Sequence, residues 1–163
     1  MPITKVACQL PLNSLPFKVT NDRFNYLGVC ITKFHSQLFK ANFTPLVENT
    51  QRDLTRWSIL PLSLAGRISI IKMNILPKFL FLFQCIPYFL TKTFFTKLDS
   101  LISPFIWNNE TPRIRKLFLQ RPKINGGMAS PNFLIYYWAA NIKSVLCWRW
   151  DTTSQDLPGW LQI

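Results

Sequence analysis

The sequence predicts a mainly α fold: a short N-terminal β-strand or hairpin, then a helical bundle and a long C-terminal aromatic helix. Two observations give the class. Apolar residues recur at helical spacing in three or four stretches after Leu46, and only Phe24 to Thr32 has the β-branched and aromatic density of a strand. A third shows that the chain has material for a core: 48% of residues are hydrophobic and 15% aromatic, enough apolar surface to offset chain entropy. At 163 residues the chain suits one ordinary domain or a piece of a larger one.

Residues 1 to 23 are punctuated by prolines and weakly patterned, an extended lead-in or the edge of something larger. Residues 24 to 32, FNYLGVCIT, read as a strand in which Gly28 allows a bulge or a close backbone approach. Residues 46 to 57, LVENTQRDLTRW, put Leu46, Val47, Leu54 and Trp57 near one helical face, with Arg52 and Arg56 at i and i+4 on another. Pro61 closes that segment. Ser63 opens the next, where Leu64, Ile68, Ile71 and Ile75 follow helical spacing while Arg67 and Lys72 leave the apolar face. A third helix is expected from Thr91 or Thr93 as N-cap, with Phe94, Leu98, Leu101 and Phe105 in register and Pro104 kinking or ending it. Residues 107 to 132 hold Asn, Pro and a Gly-Gly pair, and read as loop with a short ordered piece at Lys116 to Gln120. After Pro131, residues 133 to 150 read as a long aromatic helix, and the stretch from Thr152 as a frayed or cut end. Three segments result: 1–45 with the strand, 46–107 with the helices, and 108–163 with the basic loop and last helix.

The stretch Gly66 to Leu90 contains FLFLF at Phe79 to Phe83, yet a spanning helix needs about 20 predominantly apolar residues. Its uncharged part lies only between Lys78 and Lys92, and Pro77 and Pro87 remove backbone donors that hydrocarbon does not replace. A buried core segment is expected and no transmembrane span. Cys8, Cys30, Cys85 and Cys147 form no C-x-x-C pair, and His35 is the only histidine, so neither a zinc site nor a disulfide framework is encoded. Gln9, Pro11, Asn13 and Pro16 break any signal-peptide stretch at the N-terminus. An intracellular protein, cytoplasmic or nuclear and not secreted, is expected.

Nineteen Lys and Arg against seven Asp and Glu give a net charge of +12 and a pI near 10.0, which suits a nucleic-acid binder, a ribosome-like structural role or an acidic membrane surface. Between Glu110 and Asp151 lie Arg113, Arg115, Lys116, Arg121, Lys123, Lys143 and Arg149 with no acid among them. Such a cluster suits a phosphate backbone, and equally a solvated loop. Phe118, Tyr136, Tyr137, Trp138 and Trp148 offer stacking surface for bases, although the last four have the spacing of core residues. The seven acids are each far from the next in sequence, His35 has no acid or cysteine beside it, and Gly126-Gly127 lacks the strand and helix of a phosphate-binding loop. No catalytic residue, metal ligand, cofactor or small-molecule substrate is predicted for this chain.

Several stretches carry a resemblance in one colinear register over roughly residues 1 to 150: YLG at Tyr26 to Gly28, RDLTRWSILPLSLAGRISIIKMNILPKFLFLFQCIP, FFTKLDSLISPFIWNN, and PRIRKLFLQRPKINGGMASPNFLIYYWAANI. Trp57, Gly66-Arg67, Lys72-Met73, Leu76-Pro77, Phe105-Ile106-Trp107, Gly126-Gly127 and Pro131 fall in order. The pattern resembles LINE-type retrotransposon reverse transcriptases, which lack long terminal repeats, in the region after the catalytic palm. That resemblance implies that Tyr26, Leu27 and Gly28 form the turn beside the primer strand at the palm's end. It also implies that residues of about 46 to 105 form a thumb-like bundle, and that the basic loop and aromatic helix join thumb to C-terminal region. A thumb holds a duplex by its backbone, so Arg52, Arg56, Arg67, Lys72 and Lys78 on the helices and Arg113, Arg115, Lys116, Arg121 and Lys123 on the loop become the expected contacts. The family's Phe-Ala-Asp-Asp motif is absent from the sequence, as are its endonuclease and its cysteine-rich segment. Magnesium is implied for the full-length polymerase only. The expectation is a non-catalytic fragment, a degenerate copy or a stump from an internal methionine, whose partners are an RNA/DNA template-primer or other nucleic acid and the missing palm and fingers. The alternatives are a stand-alone basic helical nucleic-acid-binding module and a non-functional retroelement relic.

Overall fold

A computed structural model describes residues 22–86 and 88–151. The lead-in before residue 22, Pro87 and the end from Thr152 lie outside the described residues. The described residues are mainly helical, with one short antiparallel hairpin before the helices. The chain divides into two compact units, Met1–Arg52 and Asp53–Ile163.

In the first unit, β1 (Arg23–Tyr26) pairs with β2 (Val29–Thr32), Tyr26 opposite Val29 and Arg23 opposite Thr32. Of the strand or hairpin expected there, the hairpin forms, and Gly28 lies in its turn and makes no bulge. Leu27 at φ +48° and Gly28 at φ +83° make the two-residue turn with both centres left-handed, the geometry that follows the natural twist of the strands. Cys30 N donates to Asn42 Oδ1 and Asn42 Nδ2 to Cys30 O, both at 2.8 Å, so one buried amide completes the outer edge of β2 as a third strand would. Asn42 stands on α1 (His35–Ser58). The helix expected from Leu46 already begins at His35, and Pro45 lies inside it.

The second unit holds the end of α1, then α2 (Leu64–Ile70), a π turn (Ile71–Ile75), α3 (Leu76–Cys85), α4 (Lys92–Ile106), α5 (Lys116–Gln120), a 3-10 turn (Lys123–Asn125) and α6 (Phe133–Asp151). Ser63 caps α2, its hydroxyl accepting from Gly66 N. Pro77 would thrust its ring at the carbonyl one turn back in a regular helix. The wider π turn just before it, with Leu76 N bonded to Ile71 O, leaves that room, so α2 and α3 run on where a break was conceivable. The run Leu64–Cys85 is long and apolar enough to cross a membrane by length and composition, the one such helix among the described residues. Ile68, Ile71, Ile75, Phe79 and Phe83 on it are buried in the protein itself.

The core is an aromatic cluster shared by α3, α4 and α6. Phe79 meets Phe133 edge to face at 5.5 Å, Phe83 meets Tyr137 in the same way at 5.3 Å, and Phe95 lies 6.1 Å from Phe83 and 5.4 Å from Tyr137. Tyr137 keeps its hydroxyl satisfied by donating to Tyr88 O at 3.1 Å and accepting from Leu90 N at 3.3 Å. Residues from the expected segments 46–107 and 108–163 thus share one interior. On α4 the buried set is Phe95, Leu98, Ile102 and Phe105, one step from the expected Phe94 and Leu101, which are half-buried. Pro104 sits in the last turn without ending the helix. Asn108 and Asn109, at φ +53° and +61°, turn the chain away, and Asn109 N closes on Pro104 O at 2.8 Å. Trp57 is half-buried against the Phe105 ring at 6.5 Å.

Candidate nucleic-acid interface

The basic loop after α4 has a defined shape. Leu119 faces inward from α5, and its carbonyl accepts from Met128 N at 3.2 Å and Ser130 N at 2.8 Å, while Arg121 O accepts from Ala129 N at 2.8 Å. The chain reverses between them through Gly126 at φ +73° and Gly127, whose N–H donates to Pro122 O. A β-carbon on Gly127 would stand 2.1 Å from Arg121 O, so the second glycine permits a close backbone approach that no other residue allows. Lys72 reaches the same reversal, Nζ donating to Met128 O at 3.3 Å.

On this frame Arg113, Arg115, Arg121 and Lys123 are exposed. Arg113 pairs with Glu110 at 3.1 Å, both ends open to water, an attachment worth a few tenths of a kcal/mol. Arg121 lies over the Phe118 ring, 4.3 Å from its centre. Lys116 pairs with Asp99 on α4. Ile114, Leu117 and Ile124 also face solvent, an apolar component that charge counting did not reveal; its only trace in the sequence is that a five-residue helix buries one side chain, Leu119.

The helical cations fare differently. Arg52, in the first unit, is exposed and bonds Asn49; Arg56, in the second, is exposed. Lys78 pairs with Asp53 at 3.0 Å. Arg67 departs from its expected place on the surface. It is 4% exposed, donating to Phe105 O and Asn108 Oδ1 at 2.9 Å and to Leu62 O at 3.3 Å, with its guanidinium 5.2 Å from the Phe105 ring centre. It ties α2 to the carbonyl end of α4, where a positive charge is favoured, and is not placed to touch a phosphate. In the first unit Tyr26 and Leu27 project from the hairpin tip, Leu27 78% exposed, with Gly28 beside them in the turn.

Asp53, Asp99 and Glu110 each hold a cation, and among the described residues no three His, Cys, Asp or Glu gather as a metal would need. A cavity of about 130 Å³ between α4 and the loop, lined by Ile71, Ile102, Ile106, Trp107, Leu119 and Phe133 among others, is below the roughly 300 Å³ of ligand-sized pockets. What the arrangement offers chemically is a fixed, cationic, partly apolar surface. Searched against models of known protein families, the chain matches none.

Proposed function

We propose that the chain serves as thumb and post-thumb segment of a LINE-type reverse transcriptase, gripping an RNA/DNA template-primer by its sugar-phosphate backbone. Chemistry, with its magnesium, belongs to a palm and fingers on other residues, and the site of action is intracellular. The observation that carries the reading is the loop from Arg113 to Lys123, with five exposed cations, Arg113, Arg115, Lys116, Arg121 and Lys123, on a hydrogen-bonded frame and no acid in the sequence from Thr111 to Trp150. The resemblance around Tyr26-Leu27-Gly28, Gly66-Arg67 and Gly126-Gly127 supports the polymerase context. Backbone contact makes binding depend on counterion release, which gives the reading a quantitative signature.

The test is fluorescence anisotropy of the full chain with an RNA/DNA hybrid across salt concentrations. Affinity should fall by at least tenfold between about 50 and 200 mM salt, and Arg115→Ala with Lys123→Ala should flatten the log–log slope by roughly two, near one per lost phosphate contact. An affinity that hardly moves with salt would remove the basis of the proposal.

A further inference from the structure

We infer that the segment Arg115 to Ile124 is a platform for unpaired bases, so that the loop adds stacking on a single strand to the backbone contacts it makes with a duplex; this rests on the nucleic-acid reading above. Phosphate contact alone needs cations and no apolar surface. Here α5 turns Leu119 into the interior and leaves Leu117 73% and Phe118 46% exposed, while Ile124 on the 3-10 turn is 97% exposed. The Arg121 guanidinium covers part of the Phe118 ring at 4.3 Å, and nearly half of the Phe118 surface remains open beside it. An aromatic ring and a guanidinium plane are the two protein groups on which bases stack irrespective of sequence.

The stack is held before any ligand arrives. Arg121 O is bonded to Ala129 N, and Leu119 O to Met128 N and Ser130 N, so ordering the loop adds little to the cost of binding. Arg115 and Lys123, exposed at either end of the segment, supply the charge complementarity that a phosphodiester chain requires. In a duplex each base has both faces covered by its neighbours, and only the backbone is on offer. An unpaired strand alone uses the ring, the guanidinium and the aliphatic flank together.

The experiment compares a labelled oligouridylate with a blunt duplex of equal phosphate number, at one salt concentration, on the full chain. Phe118→Ala should weaken single-strand binding about tenfold and duplex binding less than twofold, while Phe118→Tyr should keep both. Circular dichroism of the variants checks that the fold is retained. Equal losses on both nucleic acids, or none, would overturn the inference and leave the backbone reading standing. No binding of either by the unaltered chain would overturn both. Vesicles of phosphatidylserine and phosphatidylcholine form a third arm: if Phe118→Ala abolished vesicle binding and left the oligouridylate untouched, the apolar residues would serve an anionic membrane and the inference would fall.

Discussion

Phe83→Ala should lower the stability of the second unit by about 3 to 5 kcal/mol. The Phe83 ring is buried where three helices meet, against Phe79 at 6.0 Å on its own helix, Phe95 on α4 and Tyr137 on α6. Its loss opens a cavity that none of the three can fill without dragging the others. Phe81, two residues away on α3 and 41% exposed, is the internal control, and Phe81→Ala should cost less than about 0.5 kcal/mol. Denaturant unfolding of both variants measures the difference. Equal effects would mean that the aromatic cluster is not what closes the unit.

Gly127→Ala should cost about 2 to 3 kcal/mol, because the new methyl would lie 2.1 Å from Arg121 O and 2.5 Å from Arg121 Cβ, and the two arms of the reversal would have to part. Gly126→Ala separates steric contact from backbone preference. That site has open space around it and a left-handed φ of +73°, so its cost should be near 1 kcal/mol. Hydrogen exchange gives the local readout. Protection of the Ala129 and Ser130 amides should be lost in the Gly127 variant and largely kept in the Gly126 variant. Comparable protection in the two would contradict the close approach.

Much of this fold is legible in the sequence where one element decides its own structure. The short helix at Lys116 to Gln120 is bounded as the pattern predicts, and Ser63 and Thr91 stand at the helix starts expected of them. Legibility fails where the deciding partner is distant. Arg67 reads as a surface cation because it leaves the apolar stripe of α2, and nothing near it in sequence announces Phe105 O and Asn108 as its acceptors. The residue pattern alone does not place the turn of the hairpin, because residues 24 to 32 are apolar almost throughout and leucine is an unusual left-handed residue, so Leu27-Gly28 does not interrupt the pattern. On α4 two adjacent phenylalanines, Phe94 and Phe95, fit the helical period almost equally, and packing against Phe83 and Tyr137 selects the second. For the candidate site, the sequence shows the density of charge on the loop. It does not show the stacked Phe118 and Arg121, since that contact depends on a reversal built from Gly126 and Gly127.

The π turn between α2 and α3 bears on how this chain tolerates changes in length. An i→i+5 turn holds one more residue than an ordinary turn, so Ile71–Ile75 behaves as an insertion already absorbed by the helix. Removing one residue there, such as exposed Met73, lets the ladder close to its normal spacing while Phe79 and Phe83 keep their facing; Pro77→Ala relieves the ring clash that the tighter turn would bring back. Removing Phe81 instead leaves no spare residue to absorb the loss, and everything beyond it on α3 swings by about 100° and takes Phe83 away from Tyr137. Two deletions of equal length on one continuous helix therefore part company, the first yielding a folded protein and the second not, and Pro77 marks where the difference lies.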